Sequence, residues 1–257
     1  MKNAIVTGAG RNLGIGAEIC RMLAKSGINV FFTSYDYYDK FVANICSEDY
    51  SKTLNECSSY KINAFFAVYN LTKYSEIVRL FEEAKNKMGN IDILINCACY
   101  HVFDDIFNLT EKVLENNFSI NAKSVMLLCQ EFYKHFLGKE GRIINFSSTQ
   151  NLEPLTTEIS YAISKASVPI IVSTLAPIMA EKGITINAIN PGATEIGDIN
   201  DKNKQEYFKC NKFFRLGLPS DAANLVQFLI SDAGKWITGQ VINSEGAICR
   251  GLIKDVL

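Results

Sequence analysis

The sequence is short of the features that would send it to a membrane, a nucleic acid or an oxidising compartment. No apolar run of membrane-spanning length stands out, and one lysine and a brief apolar run before Thr7 and Gly8 are too little for a signal peptide. Charge of either sign is not in excess, with a formal net charge of −1 over 257 residues, and there is no basic run for a phosphate backbone or an anionic membrane. Proline is scarce, at five residues, and no proline-rich linker, repeat or low-complexity tract divides the chain. The eight cysteines, at 20, 46, 57, 97, 99, 129, 210 and 249, form no disulfide framework and read as reduced thiols. Histidine is limited to His101 and His135, so "CACYH" at 97–101 lacks the second ligand pair of a structural zinc site, and no metal is expected. A cytoplasmic protein is expected, in which Asn-x-Ser/Thr triplets such as 70–72 and 145–147 carry no glycan.

What is present is a long alternation. Short β-rich apolar runs at 3–8, 29–34, 64–70, 92–98, 142–148, 184–192 and 239–246 are interleaved with segments of helical period at 15–26, 75–88, 111–137, 159–182 and 220–231. Nearly all-apolar strands alternating with helices predict an α/β fold of Rossmann type, a doubly wound parallel sheet with helices on both faces, as a single domain over 1–257. The polar stretch 194–213 follows a strand's carboxyl end, where open α/β sheets bind ligands. It reads as a substrate lobe, with an ordinary surface loop as the alternative.

The first strand runs into "VTGAGRNLGIG", where Gly8, Gly10, Gly14 and Gly16 allow close approach of a pyrophosphate to the N-terminus of the following helix, although the spacing is not GxGxxG. Far downstream, "SYAISKAS" puts Tyr161 and Lys165 on one helical face. Ser148 precedes the tyrosine by thirteen residues, at the end of "RIINFSS", and Asn121 precedes it by forty. A unit charge at ~4 Å is worth on the order of 4 kcal/mol at an effective dielectric near 20, so Lys165 is expected to lower the tyrosine pKa by about three units.

With the glycine loop, these four residues at these intervals resemble the short-chain dehydrogenase/reductase family, in the single-domain branch that includes 3-oxoacyl carrier-protein reductases. "DILINCA", "NAINPG" and the region from "RLGLPSDAA" to "TGQVI" extend the resemblance over nearly the whole chain. It implies an NAD(P)-dependent oxidoreductase interconverting a carbonyl and a secondary alcohol on a small-molecule substrate. Tyr161 would be the general acid and base, Ser148 would bind the substrate oxygen, Lys165 would grip the nicotinamide ribose, and Asn121 would hold a water that relays protons. Relative to the branch's Thr-Gly-x3-Gly-x-Gly loop this chain carries two additional residues. A non-catalytic dinucleotide-binding sensor or scaffold is the alternative.

The cofactor set implied is Gly8, Gly10, Arg11, Gly14, Ile15, Gly16, Ser34, Asn70, Leu71, Asn96, Ala98, Tyr161, Lys165, Pro191, Gly192, Thr194 and Ile196. Ser34 stands where an NAD enzyme places a carboxylate at the end of the second strand, and Arg11 is either a partner for a 2′-phosphate or a solvated loop charge, so NADP(H) is favoured over NAD(H). Asn70 either faces adenine or caps its strand. Gln150, Asn151 and Tyr207 are the substrate candidates, with Glu153, Leu155, Phe208, His101 and Phe103 nearby. Pro169 removes a hydrogen bond to the Lys165 carbonyl and predicts a kink just beyond the lysine. The resemblance also implies a homotetramer or homodimer packed through 111–137 and 159–182.

Overall fold

Seven strands pair in parallel in the order β3-β2-β1-β4-β5-β6-β7: β1 (Asn3–Thr7), β2 (Asn29–Ser34), β3 (Ala64–Val68), β4 (Ile93–Asn96), β5 (Gly141–Phe146), β6 (Ile184–Asn190) and β7 (Val241–Asn243). The computed structural model describes residues 1–35, 37–38, 49–149, 154–197, 205, 211 and 213–247. The five inner strands are buried at every residue, while β3 and β7, at the edges, keep partial exposure. Burial on both faces is why the inner strands read as unbroken apolar runs.

Alternate residues face alternate layers. Ile5, Phe31, Leu94, Ile143 and Ile186 pack on α3 (Tyr74–Met88), α5 (Val125–His135) and α7 (Ser167–Ala180). Val6, Val30, Phe32, Ile93, Ile95 and Ile144 pack on α1 (Ile15–Lys25), α2 (Asp49–Ser58) and α8 (Pro219–Ile230). Helix α2 has no counterpart in the sequence reading because most of its residues are polar. Its inner face is Tyr50, Thr53, Leu54 and Cys57, at helical spacing.

The segment 111–137 forms one helical rod up to His135, in three stretches of two kinds: α4 (Glu111–Phe118), a π-helical stretch Ser119–Ser124, and α5. Thr110 caps its start by accepting from the Val113 N–H at 3.3 Å. The segment 159–182 is divided as the proline predicts: α6 (Ile159–Lys165) ends at the lysine and α7 begins at Ser167, with Pro169 in its first turn. One reading of the sequence is corrected here. Ile159–Ala180 is, by length and composition, apolar enough to cross a membrane. Val168, Val172, Leu175, Ala176 and Met179 are instead buried in the protein's own core.

Candidate active site

Helix α6 is held in place from three sides, and that fixes its tyrosine and lysine. At its N-terminus the buried Asp104 carboxylate accepts from the Ser160 N–H at 3.1 Å, a favourable place for a negative charge. Along its length two asparagines of the neighbouring rod reach two serines: Asn117 Nδ2 donates to Ser160 Oγ at 2.8 Å and Asn121 Nδ2 to Ser164 Oγ at 2.9 Å. At its end Lys165 Nζ donates to the Phe146 carbonyl of β5 at 2.7 Å. Tyr161 keeps part of its surface in solvent, and the Ser148 side chain, just past β5, is near enough to its hydroxyl to draw its pKa down. Lys165 Nζ lies 5.9 Å from the centre of the Tyr161 ring.

The expected effect of the lysine on the tyrosine is not what this arrangement produces. Burial pushes the Tyr161 hydroxyl well above the usual phenol range, Cys99 adds to this, and the Ser148 side chain pulls part of the way back. Burial also lowers the Lys165 pKa, with Cys99 and Cys97 pulling the other way; the residue is 2% exposed. Desolvation is the largest influence on both groups, and it favours the neutral form of each.

Asn121 is fully buried at the π-helical stretch, a feature common at functional sites. Its side chain accepts from the Tyr100 N–H at 2.9 Å and donates to the Tyr100 carbonyl at 2.9 Å, to Asn117 and to Ser164. Both amide donors are committed. The side chain therefore ties the loop after β4 to α6.

The glycine loop fits the pyrophosphate of a dinucleotide. Gly8 has φ +72°, and a Cβ on it would lie 2.4 Å from the Ala98 Cα; a Cβ on Gly16 would lie 2.6 Å from the Gly8 carbonyl oxygen. Backbone thus fills the room that side chains would take, with Gly10 buried between. Gly14 begins α1 without a side-chain cap, leaving the first N–H groups, with Ile15 and Gly16, to face an anion. Ser34 is buried at the end of β2. Arg11 is close enough to Tyr38 to offset part of the rise that burial causes in the tyrosine's pKa.

Other expected cofactor residues are otherwise engaged. Asn70 Oδ1 accepts from Thr72 N at 3.0 Å and Thr72 Oγ1 at 2.6 Å while its amide donates to Tyr35, so it is the strand cap rather than a group open to adenine. The Leu71 side chain is in the core. Asn96 donates to Asn145 Oδ1 at 2.8 Å across β4 and β5, deep in the sheet. The Thr194 hydroxyl is spent on the Gly192 carbonyl at 3.2 Å. Ala98 remains, packed on Gly8, as do Pro191 and Gly192 past β6 and the partly buried Ile196. Gln150, Asn151, Glu153, Tyr207 and Phe208 lie outside the described residues.

Tyr38, Asn117, Ser160 and Ser164 were missed from sequence, whereas His101 and Phe103 were among its pocket candidates. Tyr38 bridges the crevice, its hydroxyl accepting from the His101 N–H at 3.2 Å and lying 3.3 Å from the His101 carbonyl. The His101 ring meets Tyr161 edge-on at 4.8 Å and Phe103 at 5.2 Å, and its Nε2 is 3.4 Å from Glu158. The paired spacing of Asn117 with Asn121 and of Ser160 with Ser164, each four apart, was the available signal for the α6 clamp.

A family model described as short chain dehydrogenase matches residues 2–207. The chain is 36% identical over 255 residues to the uncharacterised oxidoreductase YjdA of Bacillus subtilis, covering 97% of this chain and 98% of that one. It is 30% identical over 251 residues to the 3-oxoacyl-[acyl-carrier-protein] reductase FabG of Staphylococcus epidermidis, covering 96% and 98%. Among solved structures, the angucycline C-6 ketoreductase LanV with bound NADP superposes with a TM-score of 0.85 at 25% identity, covering 95% of this chain and 94% of that one. With a seven-stranded parallel sheet and a glycine cradle that agree, the chain belongs to the short-chain dehydrogenase/reductase family and is an NAD(P)-dependent oxidoreductase of carbonyls and alcohols.

Proposed function

We propose that this enzyme works as an NADPH-dependent ketone reductase in which Tyr161 donates the proton. The observation that carries the reading is the gathering of Tyr161, Lys165 and Ser148 just past the carboxyl end of β5, with Lys165 Nζ on the Phe146 carbonyl and 5.9 Å from the Tyr161 ring. A bound nicotinamide dinucleotide supplies the hydride. Ser148 hydrogen-bonds the substrate oxygen as negative charge develops there, and Tyr161 transfers its proton to that oxygen. Lys165, fixed by the Phe146 carbonyl, is assigned to the cofactor ribose, and Asn121 to holding α6 and the loop after β4 in register. Arg11 and the absence of a carboxylate at Ser34 support NADP(H) over NAD(H).

The substrate is a small or medium carbonyl compound. Kinship with 3-oxoacyl reductases suggests a 3-oxoacyl thioester. The edge-on contact of His101 with Tyr161, and Phe103 at 76% exposure beside it, favour a flat ring-bearing ketone, which is the second reading. The segment 194–213 is assigned as the substrate lobe of a single domain. A cytoplasmic homotetramer or homodimer, packed through 111–137 and 159–182, is the assembly proposed; Ile163 and Ile170 are exposed on the second of these segments.

The test is Tyr161→Phe, assayed with NADPH against both substrate classes. Turnover falls by about 10²–10⁴-fold, as for loss of a general acid, while NADPH affinity stays within about threefold, a change below 1 kcal/mol. A variant that keeps full turnover removes Tyr161 from the chemistry.

A further inference from the structure

The two additional residues of the glycine loop have a defined shape. The Gly14 N–H donates to the Arg11 carbonyl at 2.9 Å, which makes Asn12 and Leu13 the central pair of a β-turn. The insertion is closed on itself, and the glycines on either side still meet tightly, Gly16 against the Gly8 carbonyl. A turn set between glycines has little stiffness of its own. Its stiffness here comes from outside the loop.

Arg21, in the second turn of α1, grips Asn12 with both ends of its guanidinium. One terminal nitrogen donates to the Asn12 carbonyl at 3.0 Å and the other to the Asn12 side-chain oxygen. The buried Thr53 hydroxyl of α2 donates to the same side-chain oxygen at 3.2 Å, and Asn12 is left 6% exposed. The guanidinium is itself held from two helices, by Glu18 of α1 at 3.3 Å and by the Nε bond to Glu56 of α2. The geometry fits a planar fork with donors on several edges, and an ammonium has no equivalent.

We propose that Arg21 is a positioning residue for cofactor selection: it fixes the inserted turn, and thereby sets Arg11, the residue that opens the turn, to pair with the 2′-phosphate of NADP(H). This rests on the NADP(H) preference proposed above. Arg21 acts through Asn12, inside the turn that the Arg11 carbonyl closes. The inserted pair would then be what makes an arginine on a glycine-rich loop selective, where an unheld one would be a solvated charge.

The experiment is fluorescence titration of wild type, Arg21→Lys and Asn12→Ala with NADPH and NADH separately, with steady-state kinetics alongside. Wild type is expected to bind NADPH more tightly than NADH. Arg21→Lys keeps a cation near Glu18 and Glu56 but cannot bridge both Asn12 oxygens, and is expected to weaken NADPH by roughly tenfold, the scale of one charge-assisted hydrogen bond. NADH changes by less than about threefold and kcat at saturating NADPH holds, so the effect is in KM. Asn12→Ala, which leaves helix α1 intact, moves the NADPH to NADH ratio in the same direction and stands in should Arg21→Lys fail to fold. A ratio unmoved in both variants, or equal weakening of both cofactors, overturns the role of Arg21 while the NADP(H) preference stands. A wild type that binds NADH as tightly as NADPH overturns the preference, and with it the assignment.

Discussion

Gly8 and Gly27 share a backbone conformation and differ in their surroundings, which allows a clean measurement of what the cofactor cradle costs. Gly8 has φ +72° and Gly27 has φ +73°. Alanine at either is strained by about 1–2 kcal/mol in the left-handed region. A Cβ at Gly27, just past the end of α1, meets nothing within 4 Å. At Gly8 it lies 2.4 Å from the Ala98 Cα, 2.6 Å from the Ala98 N and 2.9 Å from the Cys97 carbonyl carbon, all backbone of the segment leaving β4. None of these atoms can swing aside, so overpacking adds roughly 1–3 kcal/mol and brings Gly8→Ala to about 2–5 kcal/mol. At about 2–4 °C per kcal/mol for a chain near this size, Gly27→Ala lowers Tm by roughly 2–8 °C and Gly8→Ala by roughly 4–20 °C. Differential scanning fluorimetry of both variants, with and without NADPH, reads the two effects together. The Gly27 variant retains the ligand-induced rise in Tm and the Gly8 variant loses it. Equal melting temperatures for the two variants, or a full NADPH-induced rise in Gly8→Ala, would refute the close approach of Gly8 to Ala98 as the reason for the glycine.

Two further outcomes follow from the buried charges. Lys165→Met is expected to abolish turnover and raise Tm by a few degrees, since replacing a desolvated ammonium by an apolar isostere is worth about 0.5–2 kcal/mol. Its folded pKa lies below its unfolded value, so the folded state binds fewer protons, wild-type stability rises with pH through that window, and the advantage of Lys165→Met shrinks toward pH 10; an advantage that grows with pH contradicts this. Glu131, 3% exposed, would be raised by burial, but Lys134 and Tyr74 hydrogen bonds and the nearby His135 hold it below the usual carboxylate range. Glu131→Gln is expected to cost about 1–3 kcal/mol at neutral pH. That difference is fully present above pH ~4.5 and fades as pH falls through the lowered folded pKa, which urea melts at pH 7 and pH 3 would establish.

The sheet was legible because inner strands buried on both faces leave a local signature: Ile5 and Val6 need opposite layers, and both must be apolar. Helix α2 was not, because only Tyr50, Thr53, Leu54 and Cys57 turn inward and the other residues are polar. Pro169 announced the break after Lys165 because a missing N–H is a property of one residue. The Lys165 effect on Tyr161 was misjudged for the opposite reason, since spacing along a helix gives proximity but not the desolvation that dominates both groups. Asn70 and Thr194 show the same limit: each is a polar residue at a strand end, and only the positions of Thr72 and the Gly192 carbonyl decide where its hydrogen bonds go.

The strand order also sets a sequence of events in time. β1 is the third strand across the sheet, flanked by β2 and by β4, which begins at Ile93. As the chain is synthesised, β1, β2 and β3 have partners within the first third of the sequence, whereas β5 has to be added to the β4 edge and β6 to β5. The glycine cradle is therefore completed by the closure of β1 on β4, and Ser148, Tyr161 and Lys165 arrive only afterwards. Parallel pairings of this kind are slow because a long loop must close before any contact repays it. Until β5 docks, the β4 edge stands open, and that interval is when the nascent chain is most exposed to pairing with another copy of itself.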